Sequence, residues 1–302
     1  MVDVLPVELL QLIFDLLSAV DRKSASLVCH RWRQVLWSDR YLKRMTAIVT
    51  GRTLCSQWAL QRLQRPFRKM NIEEDLGLQE SERKRFLTRV RKLISSRVVR
   101  SSVQELRLVM SHPSLNGIFG QQVAVTFPKL KELSYSPGSR LLNHDDVLAR
   151  INAHAPQLRV LKIDVFTNSA VELIRMASRQ IHSLSMRFYD KRTFLRVIEI
   201  ESFDSFREAT FLTVLSGQED YEMLHPTDFN ATHRMNLAKL DKLEIRDAAN
   251  MFSQVYDIIF RASTSLSQLN VFGTDISNSA LASIHSMKKL KRLHLYLYGN
   301  NG

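Results

Sequence analysis

The chain has 302 residues, of which 45% are apolar and 24% are charged, and these proportions are typical of a globular protein and exclude a largely disordered one. No apolar run reaches the roughly 18 residues of a membrane-spanning helix, and two cysteines are too few for a disulfide framework or a zinc site, so we expect a protein of the cytoplasm, the nucleus or both, without a membrane association. The formal net charge of +13 is unevenly spread, because residues 22–107 carry 21 basic and 7 acidic side chains whereas residues 108–302 carry 22 and 19.

The first predicted element is a helix over residues 5–17, with the sequence LPVELLQLIFDLL. Pro6 suits a helix start, where its missing N–H would have no partner within the helix. Helical spacing puts Leu9, Ile13 and Leu16 on one side and Leu10, Phe14 and Leu17 on another. A surface helix needs one apolar stripe, and a segment of about 40 residues seldom forms a core that can bury two. The second side is therefore expected to bind another surface.

Together with SLVCHRWRQVLW at residues 26–37, this helix resembles the F-box. The resemblance covers residues 4–40 and rests on Leu5, Pro6, Glu8, Leu9, Leu10, Ile13, Phe14, Leu17, Val28, Cys29, Trp32 and Arg33. It implies an F-box over residues 1–40 that binds a Skp-family adaptor and, through it, a cullin. The positions that would face the adaptor or support that face are Leu5, Pro6, Leu9, Ile13, Leu17, Val28 and Trp32. The alternative is a small helical pair that packs only against the rest of its own chain.

Residues 41–102 are interpreted as linking helices and degenerate first repeats. Within them, Phe86, Val90, Leu93 and Ile94 have helical spacing, with acidic residues before them and basic residues near the end, which predicts an amphipathic helix. The basic excess of this region has three possible explanations. We favour a solvated helix face; the others are a surface for an acidic protein and a site for nucleic acid. No recognition motif with interleaved aromatic residues accompanies the charge.

From residue 103 to residue 302 a short apolar phrase recurs, with two variable residues between its first two apolar positions and one between its last two. Its copies begin at Val103, Leu130, Leu158, Ile181, Phe206, Leu240, Leu266 and Leu290. Most copies start 23 to 28 residues after the preceding one, which is the spacing of leucine-rich repeats, and helical patterns lie between them. The array resembles that family. An ordinary α/β fold with Leu-rich strands is the alternative, although the Gly-rich turn of a dinucleotide fold is missing.

The predicted fold class is therefore α/β: an N-terminal all-helical F-box followed by a leucine-rich-repeat solenoid with a parallel strand face and outer helices. Strand alternation directs the variable residues of each phrase away from the core. These residues carry charges of both signs, which disfavours a groove for a polyanion. Some belong to types enriched at binding hot spots. The candidate target-binding residues are Arg187, Arg246, Phe272, Arg292 and Tyr296.

Two departures from a regular array are expected. The long step after Phe206 predicts a loop insertion near residues 217–236, with the acidic residues Glu219, Asp220 and Glu222. No helical pattern follows the last phrase, so the final repeat is expected to lack the cap that such arrays need.

The sequence contains no motif for nucleophilic catalysis, phosphate binding or zinc binding. The cluster of His144, Asp145 and Asp146 lies at a predicted helix start, where the carboxylates suit capping. We therefore expect no catalytic residue, no metal and no cofactor. The two resemblances imply the substrate-recognition subunit of an SCF-type cullin–RING E3 ubiquitin ligase, with an unknown protein target. The alternative is a basic scaffold that binds nucleic acid or chromatin through residues 62–100, a partner class that we disfavour.

Overall fold

A computed structural model describes residues 5–54, 57–75, 77–110, 114, 126–137, 155–165, 181–188, 206–213, 237–247, 256–273 and 276–297. The chain divides into two compact units, Met1–Leu106 (unit 1) and Arg107–Gly302 (unit 2). The predicted loop insertion near residues 217–236 and the His144 cluster lie outside the described residues.

Unit 1 begins with four short helices. They are α1 (Val7–Asp15), α2 (Ala19–Ala25), α3 (His30–Leu36) and α4 (Asp39–Leu42). Helices α2 and α3 each begin after a side chain that accepts a hydrogen bond from the first turn. The hydroxyl of Ser18 accepts the backbone N–H of Asp21 at 3.2 Å, and the Sγ of Cys29 accepts that of Trp32 at 3.4 Å. Cys29 therefore caps α3.

Alternating strands and helices follow in unit 1. They are β1 (Thr46–Val49), α5 (Gln57–Leu63), β2 (Lys69–Glu73), α6 (Glu80–Ser95), α7 (Arg97–Ser102) and β3 (Glu105–Met110), inside which the unit boundary falls. β1 and β2 are parallel. The N–H groups of Gln104 and Glu105 donate to the carbonyl of Arg68 at 2.7 and 3.0 Å, beside the start of β2. In α6 the four residues with helical apolar spacing, Phe86, Val90, Leu93 and Ile94, are all buried.

Unit 2 contains a parallel sheet whose strands follow sequence order. Its strands after β3 are β4 (Glu132–Pro137), β5 (Val160–Val165), β6 (Ser183–Phe188), β7 (Glu208–Thr213), β8 (Lys242–Asp247), β9 (Gln268–Gly273) and β10 (Arg292–Leu297). Each of β4 to β9 pairs in parallel with the next strand. Two helices precede the last strands, α8 (Tyr256–Ala262) before β9 and α9 (Asn278–His285) before β10. The mixed helices and all-parallel strands agree with the predicted α/β class.

The apolar positions of the recurring phrase form buried rows across these strands. One row runs through Leu133, Leu161, Leu184, Ala209, Leu243 and Leu269, none of which is more than 5% exposed. The next residue of this row is Leu293 on β10, and it is 44% exposed. The predicted absence of a terminal cap stays a prediction.

A regular hydrogen-bond ladder runs along the edge at which the strands begin. From β5 to β10, the residue directly before the strand donates its backbone N–H to the carbonyl of the equivalent residue one strand earlier, at 2.7 to 2.9 Å. We call these residues the entry ladder: Lys131, Arg159, His182, Arg207, Asp241, Ser267 and Lys291. The same bond recurs at every step, so each strand is offset from its neighbour in the same way.

Candidate functional site

Helix α1 has two apolar sides, and the protein covers one of them in the part of the chain that the structure describes. Leu10 and Phe14 are fully buried, whereas Leu9 and Ile13 are each 45% exposed and Leu16 is 88% exposed. The exposed and the buried residues are thus on the two different sides of the helix that helical spacing predicts. The exposed set therefore lies on the side that was expected to bind another surface.

Further apolar side chains are exposed close by in the sequence. We define the N-terminal apolar face as Val7, Leu9, Leu12, Ile13, Leu16, Val20, Leu27 and Val28, which are between 40% and 88% exposed. Soluble monomers rarely leave so many large apolar side chains uncovered in one short segment, and such a concentration marks an interaction surface. Leu12, at 61% exposure, was missed in the sequence, although it lies one turn after Leu9.

The buried side of α1 holds this helix on a compact core. Leu10 and Phe14 pack with Ala25, Val35, Leu36 and Tyr41 in one cluster. The ring of Trp32 meets that of Phe14 edge to face, with centroids 5.2 Å apart, in a geometry that aromatic pairs prefer. The hydroxyl of Tyr41 donates to the carbonyl of Gln11 at 2.9 Å. The exposed side is thus presented on a helix whose rotation is set by its packing.

Arginines stabilise the C-terminal end of α1, where the last carbonyls of a helix lack partners. Arg22 donates through Nε to the carbonyl of Phe14 at 2.8 Å and through Nη2 to that of Asp15 at 3.3 Å. The Asp15 carboxylate pairs with Arg40 at 2.5 Å and with Arg44 at 2.8 Å. Desolvation alone would raise the pKa of Asp15, but the hydrogen bonds and charges of Arg40 and Arg44 outweigh it and lower that pKa.

The seven residues proposed for adaptor contact fall into two groups. Pro6, Leu9, Ile13 and Val28 are exposed, so they are available to a partner. Leu5, Leu17 and Trp32 are half-buried and pack against the core cluster. The carbonyl of Leu5 accepts a hydrogen bond from Nη2 of Arg31. The second group therefore positions α1 and its surroundings, whereas the first group offers contact area.

A second candidate site lies on the strand face of unit 2. One register row joins Asp164, Arg187, Leu212, Arg246, Phe272 and Tyr296 on successive strands from β5 to β10. Four of the five residues proposed for target binding lie in this row. The fifth, Arg292, lies in a different row, beside Gln268 on β9.

Three members of this row form a continuous stack. The guanidinium of Arg246 is 5.1 Å from the ring centroid of Phe272, and the ring of Phe272 lies parallel to that of Tyr296 at 4.5 Å. We call Arg246, Phe272 and Tyr296 the cation–aromatic stack. Glu244 accepts a hydrogen bond from Nε of Arg246 at 2.5 Å. Tyr296 is 51% exposed, so the stack is open at the strand face.

Most other charges on the strand face are paired across neighbouring strands. Lys162 is 2.6 Å from Glu132, Lys242 is 2.5 Å from Glu208, and Arg187 is 3.7 Å from Asp164. The hydrogen bond and charge of Glu208 raise the pKa of Lys242. Positive and negative side chains thus lie side by side on this face. This agrees with the mixed charges of the residues that strand alternation directs away from the core.

The residues that the structure describes contain no group of three or more His, Cys, Asp or Glu side chains that could hold a metal ion. Over the same ranges, no helix combines the length and the apolar character needed to cross a membrane.

Comparison with known proteins assigns the N-terminal segment. No curated protein matches the chain. Residues 2–47 match the family described as F-box-like, and this range contains helices α1 to α4 and the N-terminal apolar face. An F-box-like domain at residues 2–47 suggests an adaptor role in ubiquitin ligase complexes, since domains of this type are typically non-catalytic and bind Skp-family proteins.

Proposed function

We propose that this chain is the substrate-recognition subunit of an SCF-type cullin–RING E3 ubiquitin ligase. The F-box-like domain binds a Skp-family adaptor and through it a cullin, and the repeats bind a protein target for ubiquitination and proteasomal degradation. Other subunits supply the catalysis. The observation that carries this proposal is the uncovered apolar side of α1, which lies within the F-box-like match.

The exposed side of α1 supplies apolar surface that a complex with the adaptor would bury. Burial of one Leu or Ile side chain contributes about 1.5–3 kcal/mol when the side chain starts fully exposed. Leu9 and Ile13 are each 45% exposed and contribute part of that amount, and Leu12 and Leu16 contribute more because they are more exposed. The helix is already held by its buried side, so little ordering cost opposes this gain.

The proposed target-binding part is a leucine-rich-repeat solenoid in unit 2. Three observations support it: the parallel strands follow sequence order, their apolar residues form rows, and the entry ladder repeats one hydrogen bond. The strand face then carries the target site. It comprises the cation–aromatic stack, Arg187 two strands before Arg246 in the same register row, and Arg292 at the start of β10. Stacked aromatic and Arg side chains at an open face are suited to a protein partner.

One observation favours the alternative function as a basic scaffold for nucleic acid. Helix α6 exposes Lys84, Arg85, Arg91 and Lys92 at spacings that place them on one side of the helix. Lys84 is 3.7 Å from Glu80, and Arg83 pairs with Glu74 at 2.9 Å and with Glu80 at 3.4 Å. Carboxylates therefore interrupt the basic surface at the start of the helix.

Salt dependence separates the two functions. The purified chain is titrated with a purified Skp-family adaptor and, separately, with a double-stranded oligonucleotide, at low and at high salt. Apolar docking predicts adaptor binding that persists in high salt, whereas phosphate contacts weaken steeply with salt. Absence of adaptor binding at both salt concentrations would overturn the proposed function. Tight oligonucleotide binding that disappears in high salt would support the scaffold.

A further inference from the structure

The entry ladder of unit 2 is strongly basic, in contrast to the strand face. Of its seven residues, Lys131, Arg159, Arg207 and Lys291 are cationic, His182 is titratable, and Asp241 is the one acid. Residues 108–302 as a whole are nearly balanced, with 22 basic and 19 acidic side chains. The fold of this unit therefore concentrates cationic side chains along one edge of the sheet, although the unit as a whole is nearly balanced in charge.

The cations are densest where β7 to β10 begin. There, Arg207, Lys239, Lys288, Lys289 and Lys291 line one open pocket together with Asp241, and all six are exposed. We call this the entry pocket. It draws on four successive strands, so its cations are brought together from a sequence range of more than 80 residues.

The three lysines at the start of β10 carry the free charge of the entry pocket. In the described part of the chain, no salt bridge involves Lys288, Lys289 or Lys291, whereas the strand-face lysines Lys162 and Lys242 are each within 2.6 Å of a glutamate. Nη1 of Arg207 donates to the carbonyl of Lys239 at 3.0 Å, which holds this guanidinium at the pocket without cancelling its charge. The pocket therefore has a positive potential that attracts anions.

We propose that the entry pocket binds an anionic segment of a protein, an extended peptide that carries clustered carboxylates or phosphates. If the proposed function holds, this segment belongs to the target, and the pocket then selects targets by charge while the strand face selects them by shape. β7 and β10 are three strand spacings, or about 14 Å, apart. An extended peptide covers that distance with about four residues, so a short acidic cluster is sufficient.

Two features favour a peptide over a nucleic acid. The entry pocket contains no aromatic side chain among its lining residues, whereas sites for single-stranded nucleic acids combine cations with aromatic platforms for base stacking. Asp241 also lies between Arg207 and Lys291 in the ladder, where it would repel a continuous phosphate backbone. A peptide avoids that repulsion by placing an uncharged residue beside Asp241.

Fluorescence anisotropy with the full chain tests the proposal. The probes are a labelled Glu-rich peptide, a Ser-containing peptide with and without phosphorylation, the matching Gln-rich peptide and a single-stranded oligonucleotide. The variant Lys288→Glu/Lys289→Glu/Lys291→Glu is compared with Arg85→Glu/Lys92→Glu/Arg97→Glu, which makes the same charge change at exposed positions of unit 1. Circular dichroism verifies that both variants are folded.

The proposal predicts that the Glu-rich or the phosphorylated peptide binds, and that the Gln-rich peptide does not. The entry-pocket variant should weaken this binding at least about tenfold, with the unit 1 variant close to wild type, because local charges dominate at short range. Binding of the phosphorylated peptide alone would identify phosphate as the anion. Equal losses in both variants, no binding of either anionic peptide, or tighter binding of the oligonucleotide would overturn the proposal.

The adaptor titration distinguishes a failure of this proposal from a failure of the proposed function. The entry-pocket variant should bind the Skp-family adaptor as wild type does. Adaptor binding without peptide binding would leave the ubiquitin ligase role standing and overturn the anionic-peptide site. Peptide binding without adaptor binding would support the site and overturn the ligase role.

Discussion

The ring of Trp32 meets that of Phe14 edge to face, with planes at 73° and centroids 5.2 Å apart. This contact joins α3 to the buried side of α1, and both residues belong to the F-box resemblance. The same contact that stabilises the domain therefore sets the direction in which Leu9 and Ile13 point. Stability and partner binding depend on opposite sides of one helix, so they can be tested with different substitutions.

Phe14→Ala should destabilise unit 1 by about 3–5 kcal/mol, because a fully buried aromatic ring is removed and a cavity remains. Leu12→Ala is the matched control on the same helix, since Leu12 is 61% exposed and its truncation should cost no more than about 0.5 kcal/mol. Urea denaturation followed by tryptophan fluorescence measures both. Similar losses for the two variants would contradict the assignment of buried and exposed sides.

Leu9→Ala/Ile13→Ala should abolish measurable adaptor binding while the repeats stay folded. The substitutions remove apolar contact area that only the complex buries, and a loss of about 3 kcal/mol corresponds to a more than hundredfold weaker complex. Calorimetric titration with the adaptor and circular dichroism measure the two properties. Val98→Ala/Leu281→Ala is the control, because these side chains are 44% and 41% exposed outside the F-box-like match. Unchanged affinity of the double variant would remove α1 from the adaptor interface.

The spacing of apolar residues was enough to predict those features that depend only on residues close together in the sequence. The two sides of α1, the buried residues of α6 and the alternation along the strands all follow from helix and strand periodicity. The pairing of Asp15 with Arg40 and Arg44 and the stacking of Arg246 on Phe272 depend instead on which segments become neighbours. The entry ladder is the clearest case. Its cationic side chains are far apart in the sequence and are brought to one edge of the sheet only when strands from distant repeats pair.

Asp15 should make unit 1 sensitive to acid. Its pKa is lowered in the folded state by Arg40 and Arg44, so its contribution to stability is present above the unfolded pKa of about 4 and is lost as the pH falls through the folded pKa. Urea denaturation between neutral and acidic pH should show a smaller fall in stability for Asp15→Asn than for the wild type. Asp39→Asn is the control at an exposed carboxylate. A pH profile of Asp15→Asn identical to that of the wild type would show that the ion pairs do not contribute.

The cation–aromatic stack should be energetically coupled, because a guanidinium over an aromatic face is attracted by the ring even at an exposed site. A double-mutant cycle with Arg246→Met and Phe272→Leu keeps most of the apolar volume and removes the charge and the ring. The expected coupling is about 0.5–1 kcal/mol in the free energy of unfolding.

A control cycle uses Lys242→Met and Gln268→Leu, which are register partners on the same two strands without an aromatic ring. Its coupling should be near zero. Equal coupling in the two cycles would mean that neighbouring strands couple any pair of residues. A coupling confined to Arg246 and Phe272 would show that the stack is formed before a target arrives. The side-chain ordering whose entropic cost normally opposes binding would then be complete in the free protein. Tyr296, 51% exposed, would contact the target from a rigid platform.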